Sequence, residues 1–281
     1  MMQMLKSKKA KLKKADFNEN YKNMKNIIYL VLAISFIGCS SGEDEEVIDS
    51  IPVVILPKTK TNFEADSYEE YDYNGEKLIE SRLWSDDVYI SKTIYTYLGD
   101  LISETEYFDE SGNSSNSLGS NYYLYDDKGR LKEKKILAYE DGGGLTYRTS
   151  NYTYNSDGTT TVIITKVSGE FKTIIHSFSD NEIVEVEITD GKETATSTSS
   201  FDGKNNPFKD VLGYDKTGIP KFYQQNLKYY QRTLPSGVVE NELVKEYTYN
   251  LENYPITIKQ IHRYQSGFVS ESNSYFTYTK P

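Results

Sequence analysis

The sequence predicts an all-β domain, a long antiparallel up-and-down meander of about 14–16 strands in a curved single-layer or barrel-like sheet. Three observations predict it: a tyrosine, any residue, tyrosine pattern that recurs before turn sequences, Gly-containing turns between apolar-polar segments, and the absence of convincing helical periodicity. The 26 Tyr and 11 Phe of the 281 residues suit half-buried strand faces. Whether the sheet closes into a barrel stays open at this point.

Residues 1–38 predict a secretion signal that precedes the domain. The stretch "MKNIIYLVLAISFIGC", from Met24 to Cys39, has a basic start, an apolar run and a small residue directly before the cysteine. The apolar run is too short to span a bilayer, which favours a signal peptide over a membrane helix. The lysine-rich residues 1–23 are interpreted as a start codon assigned too early, and Met24 is the better beginning.

The end of this segment resembles the lipobox of bacterial lipoproteins. The residues that carry the resemblance are "FIGC", with Phe36 where the family usually has leucine. The resemblance implies that Cys39 is diacylated on sulfur and becomes the first residue of the mature protein. Cys39 is also the only cysteine, so no disulfide can form within one chain.

Residues 39–62 predict a lipidated, flexible tether with an acidic run. Glu43, Asp44, Glu45 and Glu46 follow the cysteine closely, and such a run is typical of a solvated segment. It also resembles the surface-export signal of lipoproteins in one Gram-negative lineage. That resemblance implies an outer-membrane protein, lipid-anchored and facing outward, with the periplasmic face as the alternative.

The charge of the mature chain argues against nucleic acid as a partner. Cleavage before Cys39 leaves 24 basic and 40 acidic residues, a net charge of −16. A surface this acidic repels phosphate backbones. The membrane is expected as a partner only through the lipid anchor.

Residues 63–281 predict hairpin repeats. Successive first tyrosines lie 24, 28 and 29 residues apart at Tyr71, Tyr95, Tyr123 and Tyr152, and later repeats of 23 or 24 residues extend the series. A repeat of about 23–29 residues holds two strands and two turns, so one repeat is one hairpin. The two tyrosines of each pair, two residues apart, point to the same face. The motifs are "YDYNGEKL" (71–78), "YTYLGDLI" (95–102), "YLYDDKGRL" (123–131), "YTYNSDGT" (152–159) and "YTYNLENY" (247–254). In the first of them the Asn74-Gly75 pair predicts a two-residue hairpin turn.

One segment interrupts the hairpins. In "NNPFKDVLGYDKTGIP", residues 205–220, prolines and glycines break the strand rhythm, which predicts an irregular insertion with a loop or a turn of helix. Hairpins are expected to resume at Lys221.

The repeats resemble two groups of secreted proteins. The tyrosine, Asp or Asn, and Gly motif is similar to the tyrosine-aspartate repeats of wall-associated and toxin-shell proteins. With "FDGKNNPF" at 201–208, the lipobox and the acidic tether, the chain is more similar still to an uncharacterised group of lipoproteins described as having a porin-like, meandering β fold. The resemblance brings no catalytic residues. A true membrane pore is not expected, because no outward face keeps the apolar band that lipid requires.

The sequence contains few residues that could serve in catalysis or bind a metal ion. The two histidines, His176 and His262, are interpreted as ordinary strand residues, and no phosphate loop or nucleophile motif occurs. The sequence therefore predicts a non-enzyme without metal or cofactor. Carboxylate pairs that a glycoside hydrolase would need all lie in turn sequences, where Asp has a local role: Asp86-Asp87, Asp109-Glu110 and Asp126-Asp127.

Trp84, the only tryptophan, is the candidate ligand-binding residue. It lies in "RLWSDD" at a strand end, where it and neighbouring tyrosines could stack on a sugar ring; the structural alternative is packing in the curved interior of the sheet. The function predicted is a surface binding or adhesion module for a glycan or protein. The alternatives are a purely structural envelope protein and a glycan-processing enzyme.

Overall fold

Sixteen strands make up almost all of the secondary structure in the residues that the structure describes. The computed structural model describes residues 54–110, 116–139, 145–169 and 171–279. The strands are β1 Pro57–Asn62, β2 Ser67–Asn74, β3 Lys77–Ser85, β4 Val88–Leu98, β5 Leu101–Asp109, β6 Asn116–Tyr125, β7 Leu131–Tyr139, β8 Leu145–Tyr154, β9 Thr160–Lys166, β10 Phe171–Phe178, β11 Glu182–Thr189, β12 Lys192–Asn205, β13 Gln225–Thr233, β14 Val239–Tyr249, β15 Pro255–Tyr264 and β16 Val269–Tyr278. Within these ranges no helix is long and apolar enough to cross a membrane.

The strands form a closed up-and-down barrel. Each strand pairs with its sequence neighbours, and β1 pairs with β16 to close the ring. All sixteen pairings are antiparallel. The predicted all-β meander is confirmed, and closure removes the free edges that an open sheet would expose.

The first strand lies inside the predicted tether. The sequence placed the end of the tether at residue 62, whereas β1 covers Pro57–Asn62 and pairs with β16 and β2. Its sequence, PKTKTN, has no apolar alternation, so local pattern gave no strand signal. Pro57 is tolerated because it begins the strand, where a missing N–H is least disruptive.

The turns carry the positive φ angles, with one difference from expectation. The β2–β3 turn is Gly75-Glu76, with Gly75 at φ 62°, and not the predicted Asn74-Gly75 pair. A two-residue turn with both residues at positive φ occurs instead at Asp86-Asp87, φ 49° and 59°. This is the backbone shape of the tight turns that match the twist of a hairpin.

Tyrosine hydroxyls tie neighbouring hairpins together. Five such bonds, which we call the tyrosine clamps, run from an even-numbered strand to a main-chain carbonyl of the preceding strand, to which the chain connects only at the far end of the barrel. Each bond is partly buried and supplies a donor to a main-chain carbonyl. The clamps are Tyr73 to Pro57 (2.8 Å), Tyr125 to Ile102 (2.7 Å), Tyr154 to Leu131 (3.0 Å), Tyr247 to Leu227 (2.6 Å) and Tyr278 to Pro255 (2.7 Å).

The connection from β12 to β13 fills the same end of the barrel. We call residues 206–224 the plug; it contains a 3-10 helix, Tyr214–Lys216, and a short helix α1, Lys221–Gln224. This irregular segment ends four residues later than the predicted insertion, and β13 begins at Gln225. Its contacts reach opposite walls: Leu212 donates to the Glu76 carbonyl, and Phe222 packs on Phe201. Only a segment lying across the ring can do this.

The plug supplies the centre of the hydrophobic core. Tyr214 packs against two buried clusters, one around Tyr71 and Leu78 and the other around Tyr123 and Leu131. Its ring stacks on Phe208 at a centroid distance of 4.7 Å. Burial, followed by the neighbouring tyrosines, raises the pKa of the Tyr214 hydroxyl well above its usual value. The first tyrosines of the repeats therefore face inward and form the wall that receives the plug.

The strand register assigns alternate residues of each strand to the inner and the outer face of the barrel. Paired residues in an antiparallel ladder share a face, so the residues aligned with Tyr71, Tyr95, Tyr123 and Tyr152 line the interior. Buried small polar residues occupy this interior face between the rings. They are Ser81, Thr105, Asn121, Ser150, Thr160, Ser197 and Ser199.

We expect removal of one clamp hydroxyl to destabilise the barrel. Tyr125→Phe deletes the donor to the Ile102 carbonyl and should lower the free energy of unfolding by about 1 kcal/mol in denaturant titrations. Tyr152→Phe is the matched control, because this inward tyrosine packs in the same cluster and its hydroxyl forms no clamp. Equal losses in the two variants would contradict the role assigned to the clamps.

We expect Gly213→Ala to loosen the plug. Gly213 has φ 73°, and a Cβ there would lie 2.4 Å from the Asp100 carbonyl oxygen, so the substitution combines left-handed strain with a main-chain clash. Gly267→Ala is the control, since Gly267 has φ 83° with nothing within 4 Å of the added Cβ. Thermal unfolding should show a loss of about 1 kcal/mol for Gly267→Ala and at least twice that for Gly213→Ala; equal losses would show that the plug yields freely.

Candidate aromatic platform on the outer face

Trp84 lies in a row of three aromatic side chains on the outside of the barrel. The register pairs Trp84 with Tyr68 on β2 and with Tyr89 on β4. The Tyr68 and Trp84 rings are stacked, 5.9 Å apart and 7° from parallel, and Trp84 lies 5.1 Å from Tyr89. We call these three residues the aromatic platform. Trp84 is thus not in the interior, the structural alternative for this residue.

The hairpin turns at either side hold the platform in register. Asp86-Asp87 forms a two-residue turn, which places Tyr89 directly opposite Trp84. A register shift between Asp72 and Tyr73 in the β2–β3 hairpin brings Tyr68, instead of Ser67, opposite Trp84. Cross-strand aromatic pairs stabilise a sheet by a few tenths to about 1 kcal/mol each, so the row also contributes to folding.

Charged groups border the platform. The Trp84 indole N–H donates to Glu70 Oε2 at 3.2 Å. Arg82 lies between three carboxylates, with Nη2 2.6 Å from Asp72 Oδ2 and Nη1 3.1 Å from Glu80 Oε1. Partial burial lowers the pKa of the guanidinium, but Asp72, Glu80 and Glu70 together raise it above its usual value.

This arrangement can bind a sugar without any reaction. Flat aromatic faces pack against the C–H face of a pyranose, while carboxylates and a guanidinium at the rim accept and donate hydrogen bonds to hydroxyls. Tyr68 and Trp84 are both partly exposed. Sequence reasoning singled out Trp84 but missed Tyr68, Tyr89 and Arg82.

The two histidines have structural partners. His176 is buried on the inner face, and its Nε2 lies 2.7 Å from Glu185 Oε1. His262 shares a hydrogen bond between its Nδ1 and the Tyr264 hydroxyl at 3.0 Å. In the part of the chain that the structure describes, no group of three or more His, Cys, Asp or Glu residues is placed to hold a metal ion.

The carboxylate pairs lie in or beside turns, as the sequence indicated. Asp126 accepts hydrogen bonds from the backbone N–H groups of Lys128 at 3.0 Å and Arg130 at 2.9 Å. The bond from Arg130 is the main reason that the pKa of Asp126 is lowered. Asp109 ends β5, with Glu110 next to it, and Asp86-Asp87 forms the turn described above. Cys39 and the acidic run Glu43, Asp44, Glu45 and Glu46 lie outside the described residues.

A second candidate site is a polar cleft of about 560 Å³ between the plug and the first described residues. Its charged lining includes Glu76, Lys204, Asp210 and Asp215. Asp210 has an evident structural role, because its Oδ2 accepts the Ile55 N–H at 3.0 Å and the Tyr254 hydroxyl at 2.6 Å. The cleft therefore offers fewer free polar groups than its composition suggests.

Comparisons with known proteins show similarity in fold. No protein-family model and no curated protein matches the sequence. Among solved structures, the chain is similar to a porin-like protein from Bacteroides vulgatus ATCC 8482, with 12% identity over 80% of this chain and 100% of that one and a TM-score of 0.50. A porin-like protein from Bacteroides uniformis ATCC 8492 aligns with 14% identity over 81% of this chain and 97% of that one, TM-score 0.49.

Proposed function

We propose that the protein is a non-enzymatic, lipid-anchored binding module that presents its barrel in water on the outer face of the outer membrane and captures glycans. The aromatic platform with its bordering charges is the observation that carries the glycan assignment. The lipobox-like "FIGC" and the acidic run that follows it support the location on the outer face of the outer membrane. A protein ligand or a purely structural envelope role remains the alternative to glycan capture.

The outer wall supports a barrel surrounded by water. Outward ion pairs lie on β2, β3, β7 and β14–β16, whereas a lipid-facing barrel needs an apolar band around its whole circumference. Moving such pairs into hydrocarbon would carry a large desolvation penalty. The outward pairs include Arg82–Asp72 (2.6 Å), Lys135–Glu133 (2.8 Å), Arg263–Glu242 (2.7 Å) and Lys259–Glu271 (3.3 Å).

The anchor is testable in cells. Cys39→Ala should abolish labelling by a palmitate analogue and release the chain from membranes, because two acyl chains at about 0.8 kcal/mol per buried methylene provide the attachment. The barrel should fold unchanged, since it makes no use of the thiol. Retained labelling in Cys39→Ala would disprove the lipid assignment.

The acidic run can be tested separately. We expect neutral replacements of Glu43, Asp44, Glu45 and Glu46 to keep the lipid but leave the protein facing the periplasm, so that protease added to intact cells cuts the wild type and spares the variant. Equal cutting of both would make the run a tether only. If neither is cut while both carry lipid, the barrel faces the periplasm.

The platform is testable with a glycan array. The purified full chain should bind at least one neutral glycan, and Trp84→Ala should weaken that binding about tenfold through loss of the stacking face. Phe171→Ala is the control, because Phe171 is an outward aromatic on β10, 49% exposed, and β10 lies far around the ring from the platform. No glycan bound by the wild type, or equal binding by Trp84→Ala, would favour the alternatives.

A further inference from the structure

Cations accumulate on the inner wall of the barrel along β7 and β8. The register places Lys134 between Tyr123 and Ser150, and Arg148 between Ile136 and Lys166, all on the inward face. In a chain with an excess of acidic residues, this wall has the opposite charge. Arg148 is exposed although it points inward, so solvent reaches the interior at this level.

Lys134 has no anionic partner within the described residues. Its Nζ lies 5.2 Å from the Tyr123 ring centroid, a cation–π contact. Burial and then the guanidinium of Arg148 lower the pKa of Lys134. The two cations therefore repel each other, and Lys134 is largely removed from water.

Some other inward cations have carboxylate partners, but Lys60 and Lys245 also face inward, and burial followed by Lys60 lowers the pKa of Lys245. Glu187 contacts Lys172 at 3.1 Å and Arg232 at 3.2 Å. Glu185 contacts His176, as described above. Because an unpaired buried cation is costly and most are neutralised by a partner, Lys134 requires an explanation other than folding. Its neighbour Arg148, unlike Lys60 and Lys245, is exposed to the interior space.

Neutral hydrogen-bonding groups lie on the inward faces of β5 and β6, the strands that precede β7 in the ring. The Asn121 amide donates to the Tyr107 hydroxyl at 2.7 Å, and the Thr105 hydroxyl lies 3.3 Å from the same oxygen. Tyr107 points inward yet is 37% exposed, so its ring and hydroxyl are accessible from the interior space. Aromatic rings, hydroxyls, an amide and two cations thus occupy one stretch of wall.

We propose that this interior wall, centred on Lys134 and Arg148, binds an acidic oligosaccharide through its carboxylate or sulfate groups. The cations pair with the anionic substituent, while the Tyr107 ring and the surrounding hydroxyls contact the neutral part of the sugar. This site is inside the barrel and shares no residue with the aromatic platform. The two proposals can therefore be tested independently.

Isothermal titration of the purified full chain tests the proposal. The probes are oligogalacturonate for carboxylate, chondroitin sulfate hexasaccharide for sulfate, and maltohexaose as the neutral counterpart. Binding of at least one acidic probe should weaken tenfold or more in Lys134→Gln and in Arg148→Gln, and maltohexaose should not compete for it. The relative affinity of the two acidic probes identifies the anionic group.

Lys135→Gln is the matched control. It removes one cation from the adjacent residue of β7, but on the outer face, where Lys135 pairs with Glu133 at 2.8 Å. It should bind the acidic probe as the wild type does. Equal weakening in Lys135→Gln would reduce the effect to overall charge, and failure of both acidic probes to bind would overturn the proposal, whatever the array shows for Trp84→Ala.

Stability without ligand provides a second readout. If Lys134 is retained for binding, Lys134→Met should leave the melting temperature unchanged or raise it, because the substitution removes a buried like-charge interaction. The same variant should lose the acidic probe. A lower melting temperature in Lys134→Met would assign Lys134 to structural packing on Tyr123 and overturn the inference.

Discussion

The hydrogen bond from a tyrosine hydroxyl to a carbonyl of the neighbouring strand is the interaction on which the rest of this barrel depends. A hairpin is held at its turn by the chain itself, but two consecutive hairpins meet at the plugged end without a covalent link. The clamps, such as Tyr125 to Ile102, fasten them there. The rings that carry these hydroxyls also line the interior, so one residue type serves both pairing and packing.

Much of the fold follows from local sequence. Gly75, Gly129 and Gly158 adopt positive φ at the turns that the motifs indicated, and the two-residue tyrosine spacing indicated a shared inward face. Closure of the barrel could not be predicted from local sequence. It depends on the pairing of β1 with a strand more than 200 residues away, and the β1 sequence PKTKTN shows no alternation of apolar and polar residues. The target of the clamp hydroxyls was equally hidden, since a main-chain carbonyl has no sequence signature.

The residues of the candidate sites also differ in how far local sequence could predict them. Tyr89 opposite Trp84 follows from a two-residue turn at Asp86-Asp87, so a register count from the sequence could have found it. Tyr68 requires knowledge of the register shift beside Tyr73, which only the folded hairpin reveals. Lys134 and Arg148 become neighbours through the pairing of β7 with β8, and nothing in "LKEKKILAY" distinguishes the inward lysine from the outward one.

The late position of the plug in the sequence affects how the chain folds. Tyr71 and Tyr123 lie in the first half of the chain, yet Tyr214, which fills the space between their clusters, follows some 90 or more residues later. An array of repeats that contact only their neighbours can fold progressively, but here the first half of the ring has no interior partner until the plug arrives. Folding is therefore governed by non-local contacts and should be slow. Unfolding should occur in one cooperative transition and not by stepwise fraying from either end.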